Sequence, residues 1–276
     1  MPMLDRPQGS LHYIIEGSDG APATVVLIHG LCCDHTDWSA QVETLAARHR
    51  VLACDLRGHG ASRFEAGFDI PTYAEDVVAL LESLAIERAV LVGHSMGCRV
   101  ILHAATLMPE RVRGLVLVDG SRFATGDAQR AREQARAFID VNGGWENVVH
   151  RLFTDMFIEG SDPAYVAKVV KRAAQVPAEV AVQVFISMVT WDASEMRSAL
   201  ASLAAELMVV QSTYVNAARE RVSIESAQAN PWLDFVREHV PDVRIELIDG
   251  VGHFAQIEAP AAVSGLIEEF SRGQSP

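Results

Sequence analysis

Apolar residues follow two rhythms along this chain. Short, nearly continuous apolar runs recur at residues 24–28, 50–54, 89–92, 114–118, 206–210 and 243–248, each closed by a turn signal. Runs of that length, apolar on both faces, are what strands look like when helices cover both sides of a parallel sheet. Between them lie stretches with helical spacing: residues 71–85, which open on Pro71-Thr72 and carry Val77, Val78, Leu81 and Leu84, then 96–108 and 260–270. The alternation is βαβα, which predicts a doubly wound α/β sheet. Ahead of it, residues 11–16 and the Gly17/Gly20 turn predict an antiparallel hairpin at the sheet's edge.

The alternation breaks once. Residues 121–193 contain no strand-like run, only helical patterns at 128–141, 145–157, 162–175 behind Ser161 as N-cap, and 178–189. In the second of these, Val148, Val149, Leu152, Phe153 and Met156 form one stripe. This predicts a core built from residues 1–120 and 194–276, interrupted by a helical cap at 121–193. A helical insertion leaving the carboxyl end of a central strand sits over the crevice where open α/β sheets bind ligands, so the cap is expected to act as a lid. No internal repeat or linker is evident.

Composition narrows the function classes. With 276 residues, 49% apolar and 21% charged, the chain can bury a large core, which excludes disordered and low-complexity readings. A balance of 23 basic against 36 acidic residues, net −13, repels phosphate backbones and anionic lipid, so neither nucleic acid nor membrane is an expected partner. No apolar run approaches the ~20 residues of a membrane span, and the first ten residues hold Asp5, Arg6 and two prolines where a signal peptide needs apolar residues. A cytoplasmic address is expected. Cys32, Cys33, Cys54 and Cys98 form no C-x-x-C pair or zinc spacing and read as free thiols, with no metal implied.

The sharpest chemical signal is Gly93-His94-Ser95-Met96-Gly97, placed between a predicted strand and a predicted helix. G-x-S-x-G has meaning in that context: the serine sits on a tight turn with its hydroxyl exposed, and the glycines avoid collisions with the neighbouring strand and helix. A serine hydroxyl is a poor nucleophile at neutral pH and needs a base, and His253 follows the last strand on the Gly-rich loop Asp249-Gly-Val-Gly-His253. Acyl transfer also needs two backbone N–H groups aimed at the developing oxyanion. Met96, after the nucleophile, supplies one. The loop after His29-Gly30, through Leu31 or Cys32, supplies the other.

In that order, His29-Gly30, Asp55-Leu-Arg-Gly-His-Gly60, Gly93-His-Ser-Met-Gly97 and Gly252-His253-Phe resemble the α/β-hydrolase superfamily over nearly the whole chain. The resemblance implies an eight-stranded, mostly parallel sheet, a helical cap, and a Ser–acid–His triad of serine-esterase or lactonase type that needs no cofactor. The usual pattern places an aspartate after the strand read at 206–210, but here that strand leads into Gln211-Ser-Thr with no Asp before residue 220. Asp119, one strand earlier and directly before the cap, preserves the chain order Ser95, acid, His253 and is the expected acid. Glu220 is the alternative, followed by Asn216 and Asp249. Candidate pocket walls are His29, Cys32, Trp145, Phe153, Phe157, Phe185, Met188 and Trp191.

These features predict a serine hydrolase acting on an ester or lactone of a neutral, small to medium apolar substrate through an acyl-enzyme. A second resemblance, carried by Gly30-Leu-Cys-Cys-Asp-His35 and the early acid, is to the cofactor-free 3-hydroxy-4-quinolone 2,4-dioxygenases, which use a histidine base on this fold. That family has Trp, His and His where this chain has Leu31, Cys33 and Met96, so its heterocycle contacts are missing. A non-catalytic small-ligand receptor is the third reading, because one fold serves many functions.

Overall fold

All six apolar runs are strands of one sheet in the computed structural model, which describes residues 2–18, 20, 23–216, 221–224 and 230–274. In chain order the strands are β1 (Met3–Arg6), β2 (Gly9–Glu16), β3 (Thr24–Ile28), β4 (Arg50–Cys54), the short β5 (Arg63–Phe64), β6 (Ala89–His94) and β7 (Val112–Val118). They continue as β8 (Glu206–Gln211), β9 (Thr213–Val215), β10 (Arg221–Ser223) and β11 (Arg244–Leu247). The main sheet runs β1-β2-β4-β3-β6-β7-β8-β11, with β5 pairing off this path onto β2, and β9 and β10 form a separate hairpin. Every pairing from β4 across to β11 is parallel, and the antiparallel pairings of this sheet are confined to the β1–β2–β4 edge and β5 on β2. The eight-stranded path matches the expected α/β-hydrolase architecture.

Period-2 alternation divides each central strand between two cores. Val26, Ile28, Leu91 and Leu115 point to one, while Val25, Leu27, Val90, Val92 and Val116 point to the other. A one-residue slip would exchange the two sets, so packing on both faces fixes the register. Helices α1 (Ser39–Leu45), α2 (Ile70–Ser83) and α3 (Met96–Leu107) follow β3, the β4–β5 region and β6. Four helices then separate β7 from β8 along the chain: α4 (Ala128–Val141), α5 (Trp145–Thr154), α6 (Pro163–Ala173) and α7 (Ala178–Ser194). The chain closes through α8 (Met196–Ala201), α9 (Pro231–His239), α10 (Ala255–Glu258) and α11 (Pro260–Gly273). Val42 and Leu45 of α1 pack with Val263 and Ile267 of α11 on one face, and α2 and α3 cover the other.

Several boundaries differ from the sequence-based expectation for physical reasons. The edge hairpin joins β2 to β1 across Pro7-Gln8, while β2 also pairs with β4 and the short β5; the Gly17/Gly20 stretch is not the hairpin turn. Helix α5 stops at Thr154, so Met156 and Phe157 are free to leave the helix and reach the His253 loop. Asp162, not Ser161, caps α6 by accepting from the Ala164 N–H at 2.9 Å. Ser161 instead donates to Glu258 Oε1 at 2.5 Å. Strand β11 is only half-buried because it lies at the sheet edge, where Arg244 bonds Glu246 at 2.8 Å. Helices α1, α8, α9 and α10 fall outside the helical patterns read from the sequence; all are short. Among the described residues no single helix is long and apolar enough to cross a membrane.

Candidate active site

Strand β6 ends at His94 and α3 begins at Met96, so Ser95 alone turns the chain. Its φ of 53° and ψ of −110° lie where non-glycine residues are strained by roughly 1–3 kcal/mol. Backbone bonds hold it there: Ser95 N–H donates to Val118 O at 3.0 Å, and its C=O accepts from Cys98 N at 3.1 Å and Arg99 Nη1 at 3.2 Å. The flanking glycines make the turn sterically possible. A Cβ on Gly97 would stand 2.4 Å from Ile28 O and 2.8 Å from His29 O, and one on Gly93 would stand 2.4 Å from Gly97 O. Because these obstacles are backbone, Gly97→Ala is expected to cost about 3 kcal/mol or more, read as a lowered urea midpoint at unchanged m-value.

His253 enters from the far end of the chain, on the loop between β11 and α10. Its N–H donates to Met156 O at 2.8 Å, and its C=O accepts from His94 Nε2 at 2.9 Å. The residue beside Ser95 therefore ties the histidine loop to the turn, and the two imidazole centroids lie 4.7 Å apart. His253 Nδ1 bonds Asp119 Oδ2. A carboxylate can only accept, which places the proton on Nδ1 and leaves a lone pair on Nε2. That Nε2 is buried and has no hydrogen-bond partner among the described residues. Burial pushes the imidazole pKa down to about 4; Arg221 adds to this and Asp119 opposes it, so the ring is uncharged at neutral pH.

Asp119 sits one residue past β7 with φ 45°, a conformation that Asp tolerates better than most residues. Its Oδ1 accepts from Gln211 Nε2 (2.9 Å), Ser212 N (2.9 Å) and Thr213 N (2.8 Å). Its Oδ2 accepts from Thr213 Oγ1 at 2.5 Å as well as from His253, with Arg221 Nη1 at 3.4 Å. Burial alone would raise its pKa; the His253 bond, Arg221 and Thr213 outweigh that and hold it down to about 2. Gln211-Ser-Thr213 occupies the place where the fold usually carries the acid, and supplies N–H and O–H donors to an acid from the neighbouring strand. Asp249 is exposed, and Glu220 lies outside the described residues.

Met96 is the first residue of α3, so its N–H has no acceptor within the helix. Of the two alternatives for a second donor, the Cys32 amide already donates to His59 Nε2 at 3.1 Å. Leu31 remains the candidate for that role. His29 is fully buried, and its nitrogens bond Leu56 N (3.0 Å) and Gly30 O (2.7 Å), so it braces two loops and offers no polar contact to a ligand. Cys32 lines a cavity of about 490 Å³ with Cys33, Arg172, Val176 and Val180, whose wall includes neither Ser95 nor His253.

The aromatic candidates divide. Phe157 stacks on Phe254, beside His253, at 5.2 Å between centroids. Trp145 packs on Phe185 at 5.6 Å, Phe153 and Met188 are buried, and Trp191 donates to His103 Nδ1 of α3 at 3.3 Å. Sequence reasoning missed three ties between the helical segment and the site. Arg99 forms a doubly bonded pair with Asp192 of α7 (2.7 and 2.8 Å), Arg172 of α6 bonds Asp37 (2.6 and 2.7 Å), and Glu258 joins Ser161 to the Gly252 N–H. Each lone charge lacked a visible partner in the sequence.

All four cysteines are unpaired and buried, and burial pushes the Cys32 and Cys98 thiols up to about 12. His12, His35 and Asp55 form the one candidate metal-ligand cluster among the described residues. Both imidazoles point Nδ1 at the carboxylate (2.9 and 2.8 Å), whose oxygens also accept from the His35 and Ala61 amides. The carboxylate is fully engaged and anchors the Asp55–Gly60 turn, while His12 Nε2 is buried without a partner among the described residues.

A strand–serine–helix turn on a parallel sheet, tied through His94 to a histidine loop after the last strand, is compatible with a hydrolase. Residues 25–266 match the alpha/beta hydrolase family, and the chain belongs to it. The chain is 27% identical over 263 residues to 3-oxoadipate enol-lactonase 1 of Acinetobacter baylyi, covering 94% of this chain and 92% of that one. A shorter stretch of 104 residues is 44% identical to the dihydrolipoyllysine-residue acetyltransferase component of the acetoin cleaving system of Pseudomonas putida, and spans 27% of that protein's length. Among solved structures, a thermophilic esterase from Thermogutta terrifontis superposes with a TM-score of 0.79 at 24% identity, over 97% of this chain and 95% of that one. At that identity the likeness speaks for the fold alone.

Proposed function

We propose that the protein is a serine hydrolase that cleaves a carboxylic ester or lactone of a neutral, small to medium apolar substrate through an acyl-enzyme. The reading is carried by one observation: a buried imidazole with Nδ1 held by Asp119 and Nε2 left unpartnered, on a loop hydrogen-bonded to the residue next to a strained serine. Ser95 Oγ attacks the carbonyl carbon while His253 Nε2 takes its proton. The Met96 and Leu31 amides stabilise the oxyanion, aided by the positive end of α3. His253 then returns the proton to the departing alkoxide, and water repeats the sequence to free the acid.

The helical segment at 121–193 serves as the cap. In its support, Ser95 is only 9% exposed and His253 1%, and Met156 and Phe157 rest on the histidine loop. The likeness to an enol-lactonase over most of both chains brings lactones into the candidate substrate class. Quinolone ring cleavage is disfavoured because Leu31, Cys33 and Met96 stand where that chemistry has polar groups. The test is a fluorophosphonate probe followed by peptide mapping, with an ester and lactone panel alongside. A covalent adduct on Ser95 is expected. Ester turnover by a protein whose Ser95 remains unlabelled refutes the acyl-enzyme.

A further inference from the structure

Arg221 has no role in the reaction just described, yet its side chain is only 9% exposed. It lies on β10, paired in antiparallel register with Val215 of β9, in the small hairpin beside the main sheet. Its Nη1 stands 2.7 Å from Thr213 Oγ1 and 3.4 Å from Asp119 Oδ2, while Thr213 Oγ1 donates to that same Oδ2. One carboxylate oxygen thus meets a guanidinium, a hydroxyl and the His253 imidazole. We propose that Arg221 is a positioning residue: it locks Asp119 as a carboxylate, keeps His253 uncharged, and thereby extends the pH range of catalysis into acid.

The charges explain the direction. A lone Asp–His pair favours the imidazolium, because protonation creates an ion pair. With Arg221 already neutralising Asp119, protonation of His253 adds an uncompensated positive charge in a dry site. The other groups facing His253 do not compete for this role. His94 is kept uncharged chiefly by burial, and Arg99 is paired with Asp192. The cost is a weaker base; the gain is a base still available at a pH where an ordinary histidine is mostly protonated.

This proposal rests on His253 acting as the base, but its test does not need a substrate. NMR titration of the His253 imidazole should give a midpoint well below 6.5 in the wild type. Arg221→Gln should raise it by about one unit or more, and Arg221→Lys should stay near wild type. The acid limb of kcat/KM should move with it while KM changes little. An unmoved midpoint in Arg221→Gln, or a lysine variant shifted as far as glutamine, overturns the proposal. Arg221→Met replaces glutamine if that variant does not fold, and a wild-type midpoint at or above 6.5 overturns it without any variant. Failure of the catalytic reading shows separately, as an unlabelled Ser95 in a protein whose titration still responds to Arg221.

Discussion

Ser95→Ala is expected to lower kcat for p-nitrophenyl butyrate by about six orders of magnitude, with KM nearly unchanged. The hydroxyl forms and breaks the covalent bond, so its loss removes the acyl-enzyme path and not just a contact. A residue of roughly 10³–10⁴ over the uncatalysed rate should survive, from the two amide donors and substrate binding. The variant should fold, because the structural hydrogen bonds of residue 95 run through its backbone N–H and C=O. His253→Ala should lose about as much, and Ser95→Ala/His253→Ala little more than either, since residues acting as a unit are not additive. Ester turnover undiminished in Ser95→Ala would refute the serine as nucleophile.

Asp119→Asn is expected to lower kcat by about 10⁴. The amide would present N–H groups to His253 Nδ1, favouring the tautomer that carries its proton on Nε2, where no proton can be accepted from Ser95. Stability should fall as well. Gln211, Ser212, Thr213 and Arg221 all aim donors at this carboxylate, and an amide leaves at least one facing another donor, at about 1–3 kcal/mol. Rates must therefore be measured below the variant's melting transition. Glu220→Gln serves as the control and should stay within about twofold of wild type. The assignment is reversed if the large loss appears in Glu220→Gln and not in Asp119→Asn.

The central fold was legible because it is encoded locally. Strands such as Thr24–Ile28 and Arg50–Cys54 are apolar on both faces, and only a sheet covered on both sides buries such a run. The serine turn and the late histidine were legible because their glycines and positions are themselves constraints. Arg99, Asp192, Arg172, Asp37 and Arg221 gave no such signal, since each takes its meaning from a partner up to 135 residues away. The edge hairpin was not legible because Met3-Leu-Asp-Arg6 runs two apolar residues into two charged ones, with no alternation to reveal a strand, while the glycines at 17 and 20 lie beyond the other end of β2. Asp119 stood between: its place in the chain was visible, but the ring of donors that makes it a carboxylate was not.

That ring has an evolutionary reading. What the imidazole responds to is a negative oxygen at one point in space, and two adjacent strand ends, β7 and β8, both reach that point. An ancestor could acquire an acid on one strand before losing it from the other, passing through an intermediate that carried both, without moving the histidine. Relatives that lack an aspartate at the usual address should therefore be checked at the neighbouring one before they are classed as inactive.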